Sequence, residues 1–128
     1  MDNKKFLKRL NDIRDLMTQE KYAEAIAIIN NLKEIEKTKN FDYNLTHQLY
    51  QLDSNSRSLY NQKIILKYIQ KIRIDQKSIT FHELNQMIIE NKVLNLSDDI
   101  LRREIEILIL RNQLSCKLDG DIIILKTV

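Results

Sequence analysis

Residues 78–126, SITFHELNQMIIENKVLNLSDDILRREIEILILRNQLSCKLDGDIIILK, decide the fold of this chain. Thr80-Phe81-His82-Glu83 has the Thr-x-x-Glu form of a capping box, in which hydroxyl and carboxylate each satisfy an otherwise orphaned backbone N–H. A helix is therefore expected from Phe81, with Phe81, Leu84, Met87 and Ile88 inward. Ser97 offers a second N-cap, and Asp98 and Asp99 favour the positive first turn of a helix running to about Arg111. Its inward side is Leu101, Ile105, Leu108 and Ile109, and Asn112 stands where a left-handed cap residue belongs. Ser78-Ile79-Thr80 is short and β-prone. Two strands close the stretch, Leu114–Leu118 and Asp121–Lys126. Asp119-Gly120 between them is a strong two-residue hairpin signal of type I′, which needs positive φ at both positions.

Helix, short strand, helix, helix, hairpin is the order of a winged helix. Upstream, Tyr60, Ile64, Ile65, Tyr68, Ile69 and Ile72 form the apolar stripe of its first helix, about Arg57 to Arg73. Before it, Asp53-Ser54-Asn55-Ser56 reads as a linker, and Thr46–Leu52 as a short helix preceded by a polar loop. At the N-terminus Phe6, Leu7, Leu10, Ile13, Leu16 and Met17 recur at helical spacing, as do Tyr22, Ala25, Ile26, Ile29 and Leu32, with Ala23, Ala25 and Ala27 small enough for close helix approach. These segments predict an antiparallel helical hairpin, and EKYAEAIAII resembles the turn of one tetratricopeptide unit. The expected architecture is mainly α with a small β-hairpin: a helical hairpin region over 1–53, then a winged-helix domain over 54–128.

Composition excludes several classes of function. One glycine, Gly120, and no proline leave no glycine-rich phosphate cradle, and long helices are expected. A single cysteine, Cys116, rules out an intrachain disulfide and fits a reducing cytosol, the compartment expected here. The first residues lack the apolar core of a signal peptide, and no apolar run reaches the ~20 residues of a membrane span. The net charge of +3 is uneven. Residues 1–53 balance nine basic against nine acidic side chains, and residues 54–128 hold twelve against nine. The excess lies at Arg57, Lys63, Lys67, Lys71, Arg73 and Lys77, too modest to be a signature of nucleic-acid binding.

The segments IILKYIQKIRIDQKSITFHELNQMI and LSDDILRREIEILILRNQLSCKLDGDIIIL resemble the PCI domain, the module shared by the proteasome lid, the signalosome and a translation initiation factor complex. In that family a helical repeat region feeds into a winged helix. The closing CKLDGDIIIL is also similar to the end of DDRGK-type ufmylation adaptors. The resemblance covers roughly residues 57–126 and implies protein scaffolding, with no catalytic residue to carry over. The N-terminal hairpin is far shorter than the repeat region of large PCI subunits.

The residues themselves offer no catalytic constellation. His47 and His82 lack partners at metal-ligand spacing, Glu104 and Glu106 point apart on a helix, and Asp119 with Asp121 lacks a third cation ligand. Cys116 reads as a buried structural thiol, and Tyr60 and Tyr68 as core or edge aromatics. No catalytic, cofactor-binding or metal residue is assigned. Two surfaces remain. With Leu118 opposite Asp121, Cys116 opposite Ile123 and Leu114 opposite Leu125 on the core face, Ile122 and Ile124 project with Lys117 and Ser115 from the other. Ile122, Ile124 and Lys117 are therefore the candidate contacts to another subunit or a second copy. Lys63, Lys67, Lys71, Arg73 and Lys77 are the candidate phosphate contacts, for non-specific nucleic-acid binding at most. A winged-helix DNA binder is the competing reading. Against it, the recognition-position helix opens with Asp98 and Asp99 and the wing is Asp119-Gly120-Asp121, where phosphate binding needs Lys or Arg.

Overall fold

A computed structural model describes residues 1–125 of the chain. It contains five helices, α1 (Asn3–Thr18), α2 (Tyr22–Glu36), α3 (Tyr43–Asp75), α4 (Phe81–Glu90) and α5 (Asp98–Leu110). Three short strands, β1 (Ser78–Thr80), β2 (Lys117–Asp119) and β3 (Ile122–Ile124), form one antiparallel sheet in the order β1-β3-β2. The fold is mainly α, a helical hairpin followed by a winged helix. Two compact units divide the chain, Met1–Tyr60 and Asn61–Val128, and α3 contributes to both.

In the first unit α1 and α2 pair around Phe6, Leu10, Ile13, Ala25, Ile29 and Leu32, with Leu45, Leu49 and Leu52 of α3 closing the core. Asp2 caps α1 by accepting from the Lys5 N–H at 2.8 Å. The connection is a Schellman turn with Glu20 at φ 60°: Lys21 N–H reaches the Leu16 carbonyl and Glu20 N–H that of Met17. Of the three small residues of α2 only Ala25 is buried; Ala23 and Ala27 face outward. Leu7, expected in the α1 stripe, is also exposed.

The expected linker at Asp53–Ser56 is helix, part of the 33-residue α3, and the expected short helix is merely its beginning. Without Gly or Pro nothing in the backbone forces a break, and the polar side chains have partners. Asp53 accepts from Lys33 at 2.8 Å and from Arg57, one turn ahead, at 2.7 Å. Arg57 also donates to Asn30 of α2 at 2.8 Å, and the fully buried Ser56 hydroxyl donates to the Asp53 carbonyl. Burial pushes the Asp53 carboxyl up, but the hydrogen bonds from Lys33 and Arg57 outweigh it and hold the group below the usual carboxylate range.

In the second unit Ile65, Ile69 and Ile72 of α3 pack with Phe81, Leu84 and Ile88 of α4, Leu101, Ile105 and Leu108 of α5, and Ile79 and Ile123 of the sheet. The capping box at Thr80 is complete, Ser97 caps α5, and Asn112 takes φ 59° in a second Schellman turn, with Gln113 N–H on the Leu108 carbonyl. Strand β1 joins the sheet on the far side of β3, pairing Ser78, Ile79 and Thr80 with Ile124, Ile123 and Ile122. The second strand of the hairpin is thus central.

The hairpin turn lies one residue later than expected, which moves each strand partner by two residues, Leu118 facing Ile123 instead of Asp121. Asp119 pairs with Ile122, Leu118 with Ile123 and Lys117 with Ile124, so the turn residues are Gly120 and Asp121. Gly120 has φ +58°, whereas Asp121 is not among the positive-φ residues, which is the type II′ pattern rather than I′. The paired strands are also shorter than expected, and Lys126 lies outside the described residues. Facing survives the shift: Leu114, Cys116, Ile123 and Leu125 are buried, Ile122 is exposed and Ile124 partly so.

Candidate interaction surface

Helix α5 occupies the recognition position of the winged helix. Leu101, Glu104, Ile105 and Leu108 are its buried side. Glu104, 1% exposed, accepts from the equally inaccessible Gln62 amide at 3.1 Å. At 100° per residue, Ile100, Arg103, Ile107 and Leu110 fall along one line on a different flank. Ile100 is 38% and Leu110 82% exposed, and Ile107 is half-buried. Three apolar side chains with Arg103 among them therefore stand where a DNA reader carries mostly hydrogen-bonding side chains. The periodicity of Leu101, Ile105 and Leu108 accounts for one side of α5 only. Ile100, Ile107 and Leu110 lie out of phase with it, and that is the sequence signal for this surface.

The first turns of α4 and α5 and the hairpin turn border a cleft of about 330 Å³ lined by Thr80, Phe81, His82, Asp98, Asp99, Arg102 and Asp121. Its arginine is engaged internally. Arg102 lies over the Phe81 ring at 4.4 Å, donates to the Gly120 carbonyl at 2.6 Å and reaches Asp121 Oδ1 at 3.4 Å. Asp98 accepts from Asn85 Nδ2 at 2.6 Å and stands 3.3 Å from His82 Nδ1. The Asn85 hydrogen bond, and then that of His82, hold the Asp98 carboxyl below its usual range. Asn85, only 3% exposed, also donates to the Leu96 carbonyl, tying the α4–α5 loop to α4; its burial has no signature in the hydrophobic pattern. Asp98 and Asp99 place two carboxyl side chains in the first turn of α5, and Asp119 and Asp121 place two more at the wing.

On the outer face of the sheet Ile124 lies between Ser78 and Lys117, and Ile122 between Thr80 and Asp119. Ile122, Ile124 and Lys117 are therefore brought together, with Ile122 42% exposed. Ser115, expected beside them, precedes β2, and its carbonyl accepts from Arg73 at 3.1 Å.

Lys63, Lys67 and Lys71 are exposed and recur every four residues on α3, and Lys77 is exposed beyond its end. Arg73 does not share that row. It is half-buried, and the same nitrogen that meets Ser115 lies 3.2 Å from Cys116 Sγ, fastening α3 to the arm of the hairpin. His47 is exposed and stacks on Tyr43, while Tyr60 and Tyr68 are half-buried. Among the described residues no group of three or more His, Cys, Asp or Glu side chains is placed to hold a metal ion, and no helix is long and apolar enough to cross a membrane.

The chain matches no protein-family model, no curated protein and no solved structure.

Proposed function

We propose that this protein is a non-catalytic protein–protein interaction module, a cytosolic scaffold element of PCI type whose docking end is the winged helix. The observation that carries this reading is the apolar row of exposed Ile100 and Leu110 with half-buried Ile107 between them on the recognition-position helix. Exposed apolar area on that helix gains free energy when a protein surface covers it and reads no base edge. The charges favour the same conclusion. Asp98 and Asp99 at the start of α5 and Asp119 and Asp121 at the wing would stand against phosphates, and Arg102 is held by the Gly120 carbonyl and Asp121 within the chain. Ile122, Ile124 and Lys117 offer a second apolar contact on the outer sheet face. The basic row Lys63, Lys67 and Lys71 attracts polyanions without reading sequence.

The test is affinity purification of tagged protein from its native cells, alongside duplex-DNA titration. A protein that stays bound in high salt and is lost on Leu110→Glu is the expected result. Sequence-dependent duplex binding with Kd below ~10⁻⁸ M, the range of specific readers, would overturn the proposal.

A further inference from the structure

Ile100, Arg103, Ile107 and Leu110 are spaced three, four and three residues apart, the seam spacing of a helix that packs along a second helix. Direction decides what that second helix is. If an identical helix runs parallel, Arg103 meets Arg103 of the partner, two like charges on a desolvated seam. If it runs antiparallel about the middle of the row, Ile100 meets the partner's Leu110, and Arg103 lays its aliphatic stem on the partner's Ile107. The same arrangement sets Arg103 beside Glu106 of the partner, twice over, because a twofold contact repeats every pair. Within one chain Glu106 meets Arg102 at 3.8 Å in a pair open to solvent on both sides, and Arg103, itself 66% exposed, reaches the buried Glu104 at a long 3.7 Å. The exposed pair contributes little and leaves Glu106 able to change partners, and the five N–H donors of the Arg103 guanidinium let it keep Glu104 while its outer edge meets a second carboxylate.

We infer that the occupant of this face is a second copy of the chain, its α5 packed antiparallel on the first, with Ile100, Ile107 and Leu110 as the apolar seam and Arg103–Glu106 as the reciprocal ion pair. This deepens the docking reading above and rests on it. One helix face on each side buries less than the ~1,200 Å² at the lower bound of stable interfaces, so the dimer is weak, with Kd on the order of 10⁻⁵–10⁻⁴ M.

The test is sedimentation of the full chain over roughly 10⁻⁶–10⁻³ M, bracketing that range. Wild type passes from monomer to dimer. Leu110→Glu places a charge on a side chain that is 82% exposed in the monomer, so it keeps its thermal melt while raising Kd at least about tenfold. Arg103→Glu and Glu106→Arg each oppose like charges across the twofold and weaken self-association, but an equimolar mixture of the two recovers a heterodimer, because each chain then faces its complement. That recovery belongs to the antiparallel pairing and would not follow from a purely structural role. A chain that stays monomeric throughout overturns the inference, as does a dimer indifferent to Leu110→Glu or a mixture that fails to associate. Loss of self-association alone leaves the docking reading to be judged by co-purification, so the two failures are distinguishable.

Discussion

Replacing either residue of the Asp119-Gly120 pair tests where the hairpin turns. In the structure Gly120 is the first turn residue, at φ +58°, and a Cβ added there meets no atom within 4 Å. Gly120→Val therefore carries no packing clash, and its cost is the backbone alone. An L-residue held at positive φ loses about 1–2 kcal/mol, with β-branched side chains at the upper end. For a domain of this size that lowers Tm by roughly 4–12 °C. Asp119 is different. It ends β2 opposite Ile122 with extended backbone, so Asp119→Thr puts a strand-favouring residue on a strand and changes stability by less than ~0.5 kcal/mol. Under a type I′ turn at Asp119-Gly120 the same substitution would sit at positive φ and cost as much as the valine. Urea denaturation followed by far-UV circular dichroism, with wild type and both variants side by side, measures the difference. Equal losses for the two variants, or no loss for Gly120→Val, would refute the observed register.

Two further outcomes follow from the caps and charges. Thr80→Ala removes the acceptor of the Glu83 N–H at 3.1 Å and should cost about 1 kcal/mol by the same denaturant assay, with Ser restoring most of it. The Asp53 carboxyl sits below its usual range when folded, so its contribution is fully present above the unfolded value of ~4 and is lost as pH falls through the folded value. Asp53→Asn should therefore destabilise the protein at pH 7 and differ little from wild type near pH 2, as read by melting temperature; a gap independent of pH would show that the ion pairs with Lys33 and Arg57 contribute nothing.

What could be read without coordinates is what depends on neighbours within one or two turns of chain. The capping box at Thr80, the Ser97 cap, the left-handed Asn112 and the core phases of α4 and α5 are all written in spacings of three or four residues, and the structure reproduces them. Hairpin facing was legible for the same reason, since the period of two places Leu114, Cys116, Ile123 and Leu125 together even when the turn moves by one residue. Tertiary structure decided the rest. Asp53–Ser56 has the composition of a linker, and what makes it helix is Lys33 and Asn30, roughly twenty or more residues earlier in the chain. The register of the hairpin rests on β1, which holds β3 from its other edge. Asn85 Nδ2 donates to Leu96 and Asp98 and Glu104 accepts from Gln62, partners distant in sequence, and no local pattern announces a buried polar group. Ile100, Ile107 and Leu110 are apolar in any reading of the sequence, but only the packing of α5 through Leu101, Ile105 and Leu108 turns them outward, because a helix has one orientation once its other side is committed to a core.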